Sequence, residues 1–274
     1  MNDPTPRLRP PLAVALGVTL AVAGAAACGD DTSATDQAAP AEDDAAPVID
    51  PGDGGDYRPE IDPADFVDEI DNRYLPLRPG SRWVYEGNDE GQTERIEVEV
   101  TDDRREVMGI SAVVVRDTVH VDGELAEDTF DWFGQDREGN VWYLGEDSRE
   151  YEDGQVSSTE GSWEAGVDGA LPGIVMPADP TVGDAYRQEY YAGEAEDLAE
   201  VSGLDVSESV AYEDFDDLLV ITEWNPLEPD VTEDKYYAPG VGTVLEVTTA
   251  GGEGRIELVE FTPGPDRAPD ANAR

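Results

Sequence analysis

Glu94-Arg95-Ile96-Glu97-Val98-Glu99-Val100 puts an aliphatic residue at every second position from Ile96 onward and a charge between each pair. Successive side chains of an extended chain point to opposite faces, so this pattern reads as a strand with one face buried and one in water. The rule resumes downstream, where Val113, Val115, Val119 and Val121 share a phase. Turn residues punctuate such runs at hairpin spacing: Gly87 to Gly91, Asp122-Gly123, Asp136 to Asn140, Asp153-Gly154 and Gly251-Gly252. Alternating runs joined by hairpins predict an all-β, mainly antiparallel fold of about 10–12 strands. A sheet this wide curls, so the expected architecture is a strongly curved sheet, a half-barrel or a barrel, with a two-sheet sandwich as the alternative. The turns recur at no fixed period, which argues against a propeller or solenoid.

One short helix is predicted before the strands, over residues 62–70. Asp62 can cap it, Pro63 suits its first turn, and Phe66, Val67 and Ile70 fall on one face. Upstream, Arg7 and Arg9 precede an uncharged run from Pro11 to Ala27. That layout predicts a signal peptide over residues 1–27. Ala25-Ala26-Ala27-Cys28-Gly29 resembles the lipobox of bacterial lipoproteins, with Ala25 standing where that motif has a larger aliphatic residue. The resemblance implies cleavage before Cys28 and attachment of diacylglycerol and a palmitate-type chain to it. The protein is then expected to be exported and anchored to the outer face of the cell membrane. Residues 28–60 are Asp, Ala, Pro, Gly, Ser and Thr with almost no large apolar side chain, so they read as a lipidated, disordered acidic tether. The folded domain is expected over 61–263 and a disordered tail over 264–274.

The formal net charge is −48, from 65 acids against 17 lysines and arginines. Such a surface repels nucleic acid and anionic lipid, so the membrane is a partner through the lipid on Cys28 and not through a basic patch. Three readings of the acidity stand side by side: a solvating surface, a set of calcium sites, or a face for a basic partner. Cys28 is the single cysteine and His120 the single histidine. Disulfides are thereby excluded, as are histidine-based triads and zinc sites of the usual kind. In the alternating run, His120 falls on the polar face opposite Val119 and Val121.

Chemistry is sought in three places. Gly161 to Asp184 reads as a long irregular segment covering a ligand, with Trp163, Ile174 and Met176 as its contacts. Glu194, Glu196 and Asp197 cluster after a strand and are the candidate oxygen ligands of a metal, with calcium the cofactor considered. Asp128, Asp131 and Glu164 lie among Trp132, Trp142 and Trp163, the composition of a carboxylate glycan hydrolase.

Leu75-Pro76-Leu77-Arg78-Pro79-Gly80-Ser81-Arg82-Trp83-Val84-Tyr85 and Tyr236-Tyr237-Ala238-Pro239-Gly240-Val241-Gly242-Thr243-Val244-Leu245-Glu246 resemble the opening and closing motifs of a group of uncharacterised bacterial predicted lipoproteins. The second is also loosely similar to the closing hairpin of exported half-barrels of the lipoprotein-carrier type. The resemblance implies a fold and carries no catalytic residues. The leading expectation is therefore a non-catalytic, membrane-anchored lipoprotein that binds or carries a small or lipidic ligand. An acidic cell-surface interaction module, with calcium considered as a bridge, is the alternative, and a carboxylate-based glycan hydrolase the third.

Overall fold

The structure, a computed structural model, describes residues 57–89 and 91–265. Cys28, the leader and the tether up to residue 56 lie outside the described residues, as does the tail from residue 266. In chain order the strands are β1 (Phe66–Val67), β2 (Arg82–Asp89), β3 (Gln92–Val107), β4 (Ile110–Val121), β5 (Glu124–Asp136) and β6 (Val141–Asp147). Next come β7 (Glu150–Glu152), β8 (Gln155–Ser158), β9 (Trp163–Glu164), β10 (Leu171–Met176), β11 (Ala185–Arg187) and β12 (Glu189–Tyr190). The last are β13 (Leu198–Ser209), β14 (Asp214–Trp224), β15 (Thr232–Ala238), β16 (Gly242–Ala250) and β17 (Gly254–Thr262).

These strands make one antiparallel sheet, and thirteen of them, β2–β6 and β10–β17, form a nearly closed barrel. Strands β2 to β6 follow one another as hairpins, as do β13 to β17, and β17 returns to pair with β2. The remaining gap is bridged by β10, which pairs with β6 on one side and β12 on the other. Strands β11 and β12 are two halves of one run split at Gln188, of which the first half pairs with β13. Counted as a single run, they leave twelve wall strands, within the range read from the alternation. The ring therefore closes where the chain itself steps across at Gln188.

The hairpins form as their residues require. Asp122 and Gly123 both take positive φ, 51° and 86°, and Asp153 and Gly154 do the same at 53° and 72°. Two left-handed residues in succession match the right-handed twist of the flanking strands. Met108-Gly109 makes an equivalent turn, with φ of 51° and 84°, at a position whose side chain gives no turn signal.

The predicted helix is corrected. Asp62 does cap, accepting a hydrogen bond from the Ala64 amide at 2.9 Å, and Pro63 does open the turn. The helix, however, is a 3-10 turn of three residues, Pro63–Asp65. Phe66 and Val67 instead form β1 and pair with Asp136 and Gln135. An isolated helix of so few residues is marginal, whereas the edge of β5 offers ready hydrogen-bond partners. Phe66 also fills the space over Gly134 and lies against Trp142, ring centroids 6.4 Å apart.

The two motifs at the ends of the sequence meet in space. The Trp83 indole donates to the Val241 carbonyl at 2.8 Å, and the Tyr85 hydroxyl donates to the Thr243 carbonyl at 3.0 Å. Beyond β17, the Gly264 amide donates to Ser81 Oγ at 2.9 Å and fastens the end of the domain to its beginning.

Backbones approach closely at the seam. A Cβ on Gly173 of β10 would lie 2.3 Å from the Gln188 carbonyl oxygen and 2.5 Å from that of Arg187. Gly173→Ala is expected to lower stability by about 2–3 kcal/mol, because rigid backbone atoms would have to part. Gly252→Ala, which meets only Thr248 Cγ2 at 3.5 Å, is expected to stay within about 0.5 kcal/mol of wild type. Urea unfolding of both variants checks the difference.

Candidate functional site

Closure gives every wall strand an inner phase, and acids occupy it alongside the aliphatic residues. On β4 the inner series is Val113, Val115, Asp117, Val119, and on β3 Ile96 and Val98 oppose Val119 and Asp117. On β5 it is Glu127, Thr129, Asp131, Phe133. The cross-strand register then places Asp117 opposite Thr129, and Asp131 opposite both Val115 and Glu146 of β6. Asp117 is thus diagonal to both Glu127 and Asp131. Asp131 has no solvent exposure, and Asp117 and Glu146 keep only 2% each.

The other side of the interior is electrically balanced. Lys235 of β15 lies opposite Glu246 of β16 and Ile221 of β14. Its ammonium is 2.6 Å from Glu223 Oε2 and 3.8 Å from Glu246 Oε2. Gln188, at the seam, donates its side-chain amide to Glu223 Oε1 at 2.8 Å. Burial opposes the charge on Lys235, but Glu223 and Glu246 outweigh it and hold its pKa well above the ordinary lysine value.

Around Asp131 no ion pair of this kind forms among the described residues. The Tyr143 hydroxyl donates to Asp131 Oδ1 at 2.7 Å, while Oδ2 has no hydrogen-bond partner among the described residues. Among the described residues neither oxygen of Glu146 nor either oxygen of Asp117 makes a hydrogen bond of good geometry, although the Tyr143 hydroxyl also acts to lower the pKa of Glu146. Thr129 Oγ1 donates to Glu127 Oε1 at 2.7 Å and lies 2.8 Å from Ser148 Oγ. Tyr143 stacks on Phe133, centroids 5.0 Å apart, and meets the edge of Trp163 at 5.3 Å. Trp163 is itself the cross-strand partner of Glu146, so it belongs to this wall.

Burial dominates the protonation of these groups. It pushes Asp131 up to about 7, against the lowering effect of the Tyr143 hydrogen bond. Burial first, and then Asp131 and Glu127, raise Asp117 well above the usual carboxylate range. Glu146 is raised by burial and by Asp131 and Glu189, and Glu189 by burial and by Asp197. Unsolvated like charges across neighbouring strands favour the protonated form.

The residues read from the sequence are distributed differently from the expectation. Gly161 to Asp184 is not one irregular cover: it contributes β9 and the wall strand β10. Ile174 and Met176 are buried in β10, where Ile174 pairs with Trp142 and Met176 with Val141. Leu171 to Met176 reads as a loop because Pro172 and Gly173 interrupt it, yet Pro172 keeps a strand position opposite Glu189. Glu194, Glu196 and Asp197 do not converge. Glu194 is exposed, Glu196 Oε1 accepts from the Gly193 amide at 2.8 Å, and Asp197 is buried near Glu189. Among the described residues no set of three or more His, Cys, Asp or Glu side chains is grouped to hold a metal ion.

Asp131 and Glu164 stand on opposite faces of the sheet, because Asp131 shares the inner face with Glu146 and Trp163, the neighbour of Glu164. Glu164 pairs outside with Arg105, whose guanidinium lies 3.8 Å over the Trp132 ring. Asp128 also faces outward and accepts two hydrogen bonds from Arg116, at 2.7 and 3.0 Å. His120 sits on the outer face of β4, between Arg95 and Leu125. Of the inward acids the sequence reading singled out Asp131, though as half of a hydrolase pair, and the others escaped it although their phase marks them. Asp117 continues the Val113–Val115–Val119 series, Glu94 precedes Ile96, and Glu223 follows Leu219 and Ile221.

No family model matches the chain, and no curated protein matches it. A solved structure described as a "putative lipoprotein" from Parabacteroides distasonis ATCC 8503 is a distant likeness, with 12% identity and a TM-score of 0.37. The match covers 70% of this chain and 100% of that one.

Two outcomes follow from the charges inside. An acid whose pKa is raised on folding binds more protons in the native state, so stability is fully present below the free carboxyl value, near 4, and is lost as pH rises through the folded value. The melting temperature is therefore expected to fall between about pH 4 and 7. Asp131 alone, raised from 3.8 to about 7, contributes a loss of order 4 kcal/mol, and Asp131→Asn is expected to flatten the profile. Lys235→Met leaves two buried carboxylates without their cation and is expected to cost about 3–5 kcal/mol by calorimetry or urea unfolding.

Proposed function

We propose that the protein is an exported, membrane-anchored lipoprotein, attached through Cys28, whose barrel binds a small ligand on its inner wall without transforming it. The observation that carries this reading is the set of buried acceptors on β4, β5 and β6: both oxygens of Asp117, both of Glu146, and Oδ2 of Asp131. Buried polar groups in folded proteins are nearly always hydrogen-bonded, and exceptions call for an occupant or a function. Binding is favoured over glycan hydrolysis because Asp131 and Glu164 are separated by the sheet.

The anchoring half rests on the charged start, the apolar run and the small residues before Cys28. A stable lipid anchor takes two signals, which diacylglycerol and a further acyl chain would supply on a surface otherwise repelled by anionic lipid. Native mass spectrometry of the protein from its host tests the binding half, where a co-purifying small mass, released on unfolding, is the expected result. An apparent mass equal to the lipidated polypeptide alone would count against it. Cys28→Ala is expected to move the protein from the membrane to the soluble fraction.

A further inference from the structure

We propose that the seam of the barrel carries a proton-operated latch: Glu189 and Asp197 share one proton between their carboxyl groups, and its loss frees β12 from β10. No occupant inside the barrel is needed for this, so the latch is independent of the binding reading. Strand β12 is two residues long and meets β10 only through Leu171 with Tyr190 and Pro172 with Glu189. Pro172 has no N–H to donate, and its carbonyl accepts from the Tyr57 hydroxyl at 2.7 Å. The ladder here is short and incomplete, whereas β3 and β4 pair along most of their length.

Two acids meet at that join. Beyond β12 the chain doubles back, with the Tyr191 and Ala195 amides donating to each other's carbonyls at 2.6 and 2.9 Å. The Gln188 amide then donates to the Asp197 carbonyl at 2.9 Å. These bonds bring the carboxyl groups of Glu189 and Asp197 within hydrogen-bonding reach of each other. Glu189 is 1% exposed and Asp197 4%. Ionised carboxylates only accept, so a hydrogen bond between two of them requires that one carry a proton. With the proton, β12 is tied to the stretch that enters β13. Without it, two like charges meet out of water.

The groups packed around Glu189 favour the proton. Asp131 of β5 and Glu146 of β6, when ionised, repel its charge. The Tyr143 hydroxyl of β6 donates to Asp131. The Trp163 indole of β9 favours the charged form of Glu189, yet its N–H makes no hydrogen bond of good geometry. Arg187 of β11 lays its guanidinium against the Tyr190 and Tyr57 rings, at 4.7 and 5.8 Å. Burial first, and then Asp197, hold the Glu189 pKa well above the usual carboxylate range. An acid raised on folding stabilises the closed form fully below the free carboxyl value, near 4, and ceases to do so as pH rises through the folded value. The latch is therefore shut in acid and released as pH rises. At the β10–β12 join the two charges reach water with the fewest wall hydrogen bonds parted.

Hydrogen–deuterium exchange of the detergent-solubilised full-length protein, read by mass spectrometry from about pH 4 to about pH 8, tests the latch. After correction for the intrinsic rate, peptides covering residues 171–176 and 185–198 are expected to lose protection at least about tenfold more than peptides of β3 and β4. Their exchange at the upper pH is expected to be insensitive to low urea, as a local opening is, while that of β3 and β4 quickens with it. Glu189→Gln, whose amide can donate to an ionised Asp197, is expected to keep the seam protected across the range, and Asp197→Asn to do the same from the other side. Asp131→Asn, which leaves the pair intact, is expected to retain the differential loss. Parallel loss of protection in seam and wall overturns the proposal. So does a seam that opens in both amide variants as in wild type, or at every pH in both, or one that stays shut in Asp131→Asn.

Discussion

The barrel closes at one residue. Strand β10 pairs with β12 and β13 pairs with β11, and what joins the two pairings is the peptide chain at Gln188. Everything inside depends on that closure, because it turns the concave face of a sheet into an interior. In an open half-barrel the inward carboxylates would be solvated and would behave like the many acids outside. In the closed ring, Asp117, Asp131, Glu146 and Glu189 are withdrawn from water. Gln188 serves both purposes, since its amide proton goes to the Asp197 carbonyl and its side chain to Glu223.

Two solutions to buried charge then coexist in one interior. Around Lys235 the protein supplies a cation, and the Coulombic gain offsets desolvation. Around Asp131 it supplies one phenol hydroxyl and leaves the remaining oxygens unengaged, so proton uptake is the response available to the wall itself. Outside, the same residue types are handled by exposure or by surface pairs such as Arg116 with Asp128, which contribute little to stability individually. The position of an acid within the two-residue repeat, and not its neighbours in sequence, decides which of these treatments it receives.

The fold class was largely legible, because a half-buried strand writes its period directly into the chain. Ile96, Val98 and Val100 predicted an inner face and occupy one, and Asp122-Gly123 and Asp153-Gly154 turn with the left-handed backbone their residue types permit. Legibility failed where tertiary pairing overrode a local signal. Phe66 has helical spacing with Ile70, but a sheet edge and the space over Gly134 claimed it. Leu171 to Met176 carries a proline and a glycine, and reads as a loop until β6 and β12 are there to pair with it. The candidate site was the least legible part. Asp117 and Glu146 lie on strands whose phase can be counted, but their meeting with Asp131 depends on a register that includes a bulge between Asp131 and Phe133. No local pattern encodes that offset.

The described chain begins at Tyr57, and Tyr57 does not hang free of the barrel. Its hydroxyl donates to the Pro172 carbonyl at 2.7 Å, and its ring meets Tyr190 edge-on at 6.1 Å and lies over the Arg187 guanidinium at 5.8 Å. Those contacts straddle β10, β11 and β12, the strands that complete the ring. The N-terminal end of the described chain is thus fastened to the seam and not to the long hairpins opposite. The pairing between β10 and β12 spans only two residue pairs, Leu171 with Tyr190 and Pro172 with Glu189. That short pairing is the narrowest join in the ring, and the acidic lining lies directly behind it.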